Sequence, residues 1–336
     1  MKRTAIIGLG SISVVHLAAL TAGSYAKIVA ICDNEPEKIE AAKARIPYEV
    51  KYYTDYRQML AEVKPEVVHI CTPHYLHAPM CIDAMKAGAD VYLEKPAALD
   101  YEEGLTILDV QKQTGKKVCV SFQNRVVPTS LEAKRIVESG ELGAFRGSRG
   151  FMTWKRTGAY YTESKWRGKW ATEGGGVLMN QSIHTLDLLG YFGGGVAHTE
   201  GRFALHGNRG ITEVEDTAEA LLTYKNGAHG LFYASDCCCM DMPVMIELYF
   251  DKGKLLLQND KLFRDAGNGP EVIVDDADAI KVGKAVWGNG HVFMMERFYA
   301  ALDGKDAEYC TLEDGLQVLR VIGDIYAGKR GLPIEP

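Results

Sequence analysis

The first 120 residues alternate between short apolar runs and amphipathic stretches, and this alternation constrains the fold more than any other feature. Five runs rich in Val and Ile are typical of strands: TAIIGL, KIVAIC, EVVHIC, DVYLE and KVCVSF. Helical patterns lie between them, near residues 12–22, 35–45, 75–87 and 100–114. Strands that alternate with helices predict a parallel sheet covered on both faces. Right-handed crossovers then make this a doubly wound α/β domain.

The pattern changes after about residue 124. A helix is predicted near 130–138, a strand near 145–154, and a loop of three glycines that runs into a helix over 174–189. Alternating runs then predict an antiparallel sheet built largely from hairpins, with strands at 197–205, 215–224, 227–235, 243–250 and 253–258. Two helices finish the chain, near 289–303 and 312–327, whereas 264–285 gives no clear assignment. We therefore expect two domains, over residues 1–123 and 124–336.

Charge and cysteine content exclude several classes of protein. The net charge of −6 gives no basic field that would attract nucleic acid or an anionic membrane. No window reaches the ~20 uninterrupted apolar residues of a membrane span. Four of the eight cysteines lie at apolar positions in the first 120 residues, which suits a reducing cytoplasm. The Cys237–Cys239 run has no CxxC pair or second cluster at zinc spacing, so we expect a strand end there and no metal.

The turn after the first strand has the sequence Gly8-Leu9-Gly10-Ser11-Ile12-Ser13. A G-x-G turn that opens a helix lets backbone N–H groups approach a pyrophosphate, although Ser13 replaces the usual third glycine. These residues, in particular Gly8, Gly10, Ser11 and Ile12, are therefore predicted to bind a dinucleotide. Asp33 ends the second strand, where a carboxylate accepts ribose hydroxyls and repels a 2′-phosphate. It predicts NAD rather than NADP; the alternative is that Asp33 only caps the next helix.

Two further motifs follow strands at the edge where doubly wound sheets bind ligands. Thr72-Pro73 and His77 come after the third of the five runs, and Glu94-Lys95-Pro96 comes after the fourth. A lysine held between an acid and a proline is poorly explained as a solvated surface charge. If Lys95 is buried beside a cationic nicotinamide, its pKa should fall from about 10.4 towards neutrality.

The glycine-led segment GGGVLMNQSIHTLDLL, residues 174–189, carries polar residues between its apolar turns. Asn180 and His184 are four residues apart, and Asp187 lies three beyond His184, so all three can project from one helical face. This face is either a polar repair in a core or the edge of an active site.

With these motifs together, the chain resembles the Gfo/Idh/MocA family of NAD(P)-dependent sugar and cyclitol dehydrogenases. The resemblance rests on the G-x-G turn, Asp33, the TPxxxH run at 72–77, the EKP at 94–96 and GGGxLxxxxxH at 174–184. It implies a Rossmann domain followed by an α/β domain with an open, mainly antiparallel sheet that often mediates homodimers or homotetramers. It also implies that Lys95 works in the site and that His184 acts on the substrate hydroxyl.

Position 180 departs from the family pattern, because many members have aspartate there and this chain has Asn180. An amide exchanges no proton at neutral pH and can only orient a hydroxyl or a neighbouring side chain. Proton transfer then falls to His184, the better matched base, and to Lys95, which steers the oxygen and neutralises developing charge. Asp187 either orients His184 or is structural.

The stretch from Trp154 to Trp170 is rich in aromatic and basic residues. Aromatic faces suit sugars and an arginine fork suits a carboxylate or phosphate, so Tyr161, Trp166 and Arg167 are predicted substrate contacts for a sugar with an anionic group. The alternative is a loop packed by its aromatics. Gln123 and Asn124 either reach the nicotinamide or form interdomain hydrogen bonds. His69 is expected to be a core histidine, and His291 first of all a helix N-terminal residue.

The expected activity is hydride transfer between NAD(H) and a carbinol or carbonyl carbon of a sugar, sugar derivative or cyclitol. Two alternatives remain open at the level of sequence. One is an NAD-dependent glycoside-cleaving enzyme that oxidises its substrate transiently. The other is a non-catalytic NAD(P)-binding regulatory protein, which would need neither Lys95 nor His184.

Overall fold

A computed structural model describes residues 1–276 and 289–328 of the chain. The chain divides into two compact units: unit 1 comprises Met1–Gln123 and Ile280–Leu316, and unit 2 comprises Asn124–Ala279 and Gln317–Pro336. The chain thus returns to unit 1 after residue 279. The sequence analysis expects one continuous second domain over residues 124–336, so these units divide the chain differently. The extent of the two functional domains stays a prediction.

Unit 1 contains a six-stranded parallel sheet, which confirms the predicted doubly wound domain. Its strands, in the order β3-β2-β1-β4-β5-β6, are β1 (Lys2–Ile7), β2 (Ala26–Cys32), β3 (Lys51–Tyr53), β4 (Val67–Ile70), β5 (Asp90–Leu93) and β6 (Val118–Val120). Strand β4 is buried at every position, as a strand covered on both faces requires. The order reverses between β1 and β4, and ligands bind at the strand ends beside such a reversal.

Five helices connect these strands: α1 (Ser13–Ala22), α2 (Pro36–Lys43), α3 (Tyr56–Val63), α4 (His77–Lys86) and α5 (Tyr101–Thr114). Helix α5 begins where the Asp100 carboxylate accepts from Glu103 N and ends at Gly115, which is left-handed at φ 66°. The sequence analysis missed β3 and α3. Strand β3 is three residues long and half-exposed at the sheet edge, so it has no apolar alternation to detect.

Unit 2 contains an eight-stranded sheet in the order β14-β13-β12-β11-β7-β10-β9-β8. The strands are β7 (Phe145–Thr153), β8 (Val196–Ala204), β9 (Thr217–Tyr224), β10 (His229–Ser235), β11 (Met245–Phe250), β12 (Gly253–Gln258), β13 (Lys261–Asp265) and β14 (Glu271–Asp275). Only β7 and β10 pair in parallel, so the prediction of a mainly antiparallel sheet is confirmed. Strand β14 lies in the stretch that had no clear assignment.

Between residues 124 and 276, unit 2 contains the helices α6 (Pro128–Ser139), α7 (Gly158–Thr162), α8 (Trp170–Glu173) and α9 (Ile183–Phe192). The three glycines form a loop, as predicted, and Gly175 has φ 154°. The helix that follows begins later than expected, because residues 177–182 form a turn and α9 starts only at Ile183. Asn180 therefore lies in a turn before α9, and the expectation that it shares a helical face with His184 and Asp187 is corrected.

Helices α10 (Gly290–Leu302) and α11 (Leu312–Ala327) follow and confirm the two predicted C-terminal helices. Within unit 1, α10 packs against α1. None of the helices described in residues 1–276 and 289–328 is long and apolar enough to cross a membrane.

Candidate active site

The G-x-G turn of unit 1 connects β1 to α1 and leaves room beside its backbone. Gly8 has φ 87°, and a Cβ there would lie 2.7 Å from the Cys71 carbonyl carbon, so only glycine fits. A Cβ on Gly10 would meet nothing within 4 Å, so packing within the chain does not explain this glycine. Helix α1 has no side-chain cap and no acidic residue in its first turn. Its N–H groups are thus suited to an anionic ligand.

Asp33 is buried at the end of β2 and is fixed by two backbone donors. Its Oδ2 accepts from Leu9 N at 2.7 Å, and its Oδ1 accepts from Glu35 N at 2.9 Å. The carboxylate therefore connects the G-x-G turn to the loop that follows β2. Each carboxylate oxygen can accept more than one hydrogen bond, so these contacts leave acceptor capacity for ribose hydroxyls.

The two motifs after β4 and β5 are held together by His77. This buried ring places Nδ1 2.6 Å from the Pro96 carbonyl oxygen and Nε2 2.9 Å from the Thr72 carbonyl oxygen. Burial lowers the pKa of His77 despite these two backbone contacts. Both ring nitrogens thus face the chain's own backbone, and His77 fixes the turn that carries Lys95. Lys95 itself is partly exposed and precedes a cis proline bond.

Glu94, the acid of the EKP motif, starts a buried chain of polar contacts inside unit 1. His16 Nε2 lies 2.9 Å from Glu94 Oε1, and His291 Nε2 lies 3.5 Å from the same oxygen. Burial by itself raises the pKa of Glu94, but hydrogen bonds from these two histidines outweigh it and hold the pKa well below the usual range. Glu94 is therefore an ionised side chain directed into the core.

This series of buried polar contacts continues from His16 through His69 to Tyr299. The two Nδ1 atoms of His16 and His69 are 2.8 Å apart, and His69 Nε2 lies 3.0 Å from the Tyr299 hydroxyl. Burial lowers the pKa of both histidines, so both are neutral near pH 7. A single arrangement of hydrogen atoms satisfies all three contacts. The Tyr299 hydroxyl donates to His69 Nε2, His69 Nδ1 donates to His16 Nδ1, and His16 Nε2 donates to Glu94. His69 is a core histidine, as predicted, but one that belongs to this network.

Thr72 Oγ1 and Gln123 Oε1 are among the buried polar atoms of unit 1 that have no hydrogen-bond partner within the described residues. Buried polar atoms normally have partners. Together with the open space beside Gly10 and the uncapped start of α1, they fit a polar dinucleotide at this sheet edge. The residues of unit 1 therefore fit NAD. Asn124, the neighbour of Gln123, is partly exposed and belongs to unit 2.

In unit 2, His184 is partly exposed on the first turn of α9. Asp187, one turn later, is buried and accepts a bidentate pair from Arg125, with Nη2 2.6 Å from Oδ1 and Nε 2.9 Å from Oδ2. Arg125 also lies over the Tyr191 ring. Asp187 thus forms an ion pair with Arg125, whose side chain is mostly buried, and this pair anchors α9.

Asn180 lies within a cluster of unit 2 centred on Tyr160. Its Nδ2 donates to Glu173 Oε1 at 2.6 Å and to the Tyr160 hydroxyl at 3.1 Å. The neighbouring Gln181 Nε2 donates to the same hydroxyl at 3.1 Å. The Arg167 guanidinium lies 4.4 Å from the centre of the Tyr160 ring. The cluster therefore joins residues that the sequence places in three separate segments.

The other predicted substrate contacts fall in different surroundings. Tyr161 is buried, and its hydroxyl donates to Asp236 Oδ2 at 2.6 Å, so it faces the interior of unit 2. Trp166 and Arg167 are partly exposed, and Arg167 lies over both the Trp166 and Tyr160 rings. Tyr160, rather than Tyr161, is thus the tyrosine beside Asn180 and Arg167.

The three-glycine turn is held by a buried carboxylate. Glu215 accepts from Gly176 N at 2.8 Å, from Leu178 N at 3.0 Å and from the Tyr326 hydroxyl at 2.9 Å. Burial raises the pKa of Glu215 to about 7 despite these donors. Glu215 fixes the turn that leads to Asn180 and His184.

No group of three or more His, Cys, Asp or Glu within the described ranges could hold a metal ion. All eight cysteines are free, and Cys237, Cys238 and Cys239 follow β10 after one residue, Asp236. Cys237 Sγ contacts the Ser235 hydroxyl at 3.3 Å.

Sequence reasoning missed Tyr160, Glu173, Glu215 and Asp236, all of them in unit 2. Asp236 is buried, and burial raises its pKa to about 7. Charged residues flanking an apolar strand are normally assigned to solvent. The available signal for Glu215 was that residues 210–224 contain four acids and no lysine or arginine.

Comparison with known proteins agrees with this architecture. A model described as an oxidoreductase family with an NAD-binding Rossmann fold matches residues 2–122, and a model of the Gfo/Idh/MocA C-terminal domain matches residues 130–256. The oxidoreductase YrbE of Bacillus subtilis (strain 168) is 27% identical over 333 residues, covering 95% of this chain and 91% of YrbE. The scyllo-inositol 2-dehydrogenase (NAD(+)) of the same organism is 27% identical over 259 residues, covering 76% and 73%.

Among solved structures, the WlbA dehydrogenase from Bordetella pertussis in complex with NADH and UDP-GlcNAcA is similar, with a TM-score of 0.85 at 28% identity. The alignment covers 97% of this chain and 94% of that one. Both units of the chain are thus represented in the family models and in this neighbour. The chain therefore belongs to the Gfo/Idh/MocA family of NAD-dependent oxidoreductases of sugars and cyclitols.

Proposed function

We propose that this chain oxidises a carbinol carbon of a sugar that bears an anionic group, or reduces the corresponding carbonyl. The observation that carries the proposal is the cluster around Tyr160, where Arg167 lies over an aromatic ring whose hydroxyl accepts from Asn180 and Gln181. Aromatic faces contact sugar C–H groups, and guanidinium groups bind carboxylates or phosphates.

The proposed roles follow from the chemistry of each group. His184 takes the hydroxyl proton as general base. Lys95 donates to the same oxygen and stabilises its developing negative charge. Asn180 orients a hydroxyl without exchanging protons. NAD, when bound, supplies the carbon that accepts the hydride.

The proposed cofactor residues are those of unit 1. The turn from Gly8 to Ile12 holds the pyrophosphate at the start of α1. Asp33 binds the ribose hydroxyls and disfavours NADP by repulsion of its 2′-phosphate. Thr72, Pro73 and Gln123 lie at or beside the strand ends where the nicotinamide half would bind, whereas His77 and Glu94 fix the surrounding turns.

The substrate class has support from one neighbour. The WlbA structure was solved with UDP-GlcNAcA, and the basic residues between Trp154 and Trp170 suit a sugar of comparable charge. We propose a sugar acid or a nucleotide-linked sugar as the first class to test. Cyclitols come second, because a relative is a scyllo-inositol dehydrogenase.

We also propose a homodimer or homotetramer located in the cytoplasm. One face of the unit 2 sheet exposes Leu221 and Leu231 side by side on β9 and β10, and such apolar patches often mark interfaces. Light scattering that gives only the mass of one chain would contradict the proposed assembly.

The deciding experiment is a cofactor-reduction screen with the purified full chain. NADH formation is followed by absorbance with sugars, sugar acids, cyclitols and nucleotide sugars, each with NAD and with NADP. Turnover with an anionic sugar and NAD supports the proposal. NADH binding without turnover on any member of the panel would contradict it and favour a regulatory protein, and product formation without net NADH would favour transient oxidation.

A further inference from the structure

Glu173 is a fully buried carboxylate whose two oxygens are both bonded to unit 2. It ends α8, Oε2 accepts from Gly168 N at 2.5 Å, and Oε1 accepts from Asn180 Nδ2 at 2.6 Å. A buried carboxylate is costly unless donors compensate its charge. Asn180 is one of those donors, so the two residues depend on each other.

The Asn180 amide is oriented by these contacts. An amide nitrogen only donates and an amide oxygen only accepts. Nδ2 faces two acceptors, Glu173 Oε1 and the Tyr160 hydroxyl. Reversal of the amide would place oxygen against the carboxylate oxygen, so Glu173 determines which side of the amide faces away from the cluster.

The same geometry limits the charge at position 180. An aspartate there would place two carboxylates within hydrogen-bond distance, and the pKa of one member of such a pair is raised. We infer that Glu173 is a positioning residue for Asn180. Positions 173 and 180 together carry one negative charge, and this charge is located on the buried side chain of Glu173. The site thereby offers an amide instead of a second acid.

The catalytic consequence of this pairing rests on the proposed function. With the pair's only charge on Glu173, position 180 adds no negative charge beside an anionic sugar. Proton transfer is left to His184 and Lys95. Within the described residues, the titratable and charged groups that interact electrostatically with Glu173 or with Tyr160 include Tyr161, Tyr326, Arg156, Arg167 and Asp236.

The test exchanges the carboxylate of position 173 and the amide of position 180. Asn180→Asp, Glu173→Gln and the double variant Glu173→Gln/Asn180→Asp are compared with the wild type in thermal unfolding between about pH 5 and pH 8, without substrate. At pH 8 we expect Asn180→Asp to lower Tm by roughly 5 °C or more, with a smaller loss at pH 5, where one carboxyl is protonated. The double variant should recover at least half of that loss and show little change with pH.

A matched control places the acid one residue away. Gln181 also donates to the Tyr160 hydroxyl but forms no hydrogen bond with Glu173 within the described residues. Gln181→Glu should destabilise unit 2, and adding Glu173→Gln should give no recovery. With a turnover substrate, the kcat/KM of Asn180→Asp relative to wild type at the same pH should fall ~10-fold at pH 8 and recover as the pH is lowered.

Several results would overturn the inference. They are an Asn180→Asp variant as stable as wild type at every pH, Tm losses that simply add in the double variant, or equal recovery in the Gln181→Glu pair. If Asn180→Asp does not fold at pH 8, a double variant that folds no better also overturns it. Because the unfolding arm needs no substrate, failure of the proposed function in the sugar screen is seen separately.

Discussion

At the scale of single residues, Lys95 and His184 are the groups on which turnover is expected to depend. Replacing either with alanine removes a proton-transfer or charge-stabilising group, and should lower kcat by at least ~10²-fold. Steady-state kinetics on the substrate found in the screen measures the effect. Lys86→Ala, at the exposed end of α4, and His198→Ala, on exposed β8, are the matched controls and should leave kcat unchanged. Wild-type rates in either site variant would remove that residue from the mechanism.

Asp33 is expected to set the choice of cofactor. Asp33→Ser removes the charge that repels a 2′-phosphate, and it also loses bonds to Leu9 N and Glu35 N. The ratio of kcat/KM for NAD to that for NADP should therefore fall by at least ~10-fold, about 1.4 kcal/mol. Kinetics with both cofactors, or binding of NADH and NADPH, gives the ratio. An unchanged ratio, or a wild type that prefers NADP, would show that Asp33 only holds the loop after β2 in place and does not select the cofactor.

At the scale of elements, the turn before α9 depends on a close backbone approach. A Cβ on Gly176 would overlap the Glu215 carbonyl oxygen and lie 2.9 Å from Val214 Cγ2. Gly176→Ala should therefore lower the free energy of unfolding by ~1–3 kcal/mol, and it should reduce turnover because Asn180 and His184 follow this turn. Urea unfolding and kcat are the two measurements.

Gly190, inside α9, provides the control for this variant. A Cβ there would meet only Val196 Cγ2, at 3.8 Å, which is ordinary van der Waals contact. Gly190→Ala should raise stability by ~0.5–1 kcal/mol, because alanine loses less entropy in a helix. Equal losses in both variants would mean that the Glu215 contact has no special role.

At the scale of the whole molecule, the two units should respond in opposite directions to mild acid. In unit 1, burial lowers the pKa values of His16 and His69. The folded unit keeps them neutral while the unfolded chain takes up protons below about pH 6.5. The stability they contribute is present above that pH and is lost as the pH falls, by up to ~1.4 kcal/mol per pH unit for each group.

Unit 2 has the reverse linkage in the same window. Burial raises the pKa values of Glu215 and Asp236 to about 7, so between pH 7 and 5 the folded unit binds protons that the unfolded chain does not. Its stability should therefore rise as the pH falls. Hydrogen exchange at about pH 7 and pH 5.5, corrected for intrinsic rates, measures both units in one sample.

Glu215→Gln is the variant that isolates the unit 2 effect. It removes one titrating group while keeping a side chain of similar size, so the gain in protection of unit 2 on acidification should shrink and unit 1 should behave as in the wild type. Protection that changes in the same direction in both units of the wild type would contradict the assignment of these protons.

The sequence by itself determined the features that depend on local pattern. The strand and helix alternation of unit 1, the hairpins of unit 2, the G-x-G turn and the position of His184 all follow from periodicity and turn residues. Such patterns repeat every two or 3.6 residues, so one stretch contains enough information to assign them. Edge strand β3 shows the limit, because a short half-exposed strand has no such repeat.

Only the tertiary structure decided how polar groups are paired. Arg125 meets Asp187 across 62 positions of sequence, Glu94 is held by His16 across 78 positions, and Glu215 fixes the glycine turn across 39. Asn180 does not lie on the expected helical face, because it belongs to the turn before α9, which is hydrogen-bonded to Glu215. Pairing and burial are created when distant segments pack together, so the environment that sets the charge of Glu173 and the role of Asn180 exists only in the folded chain.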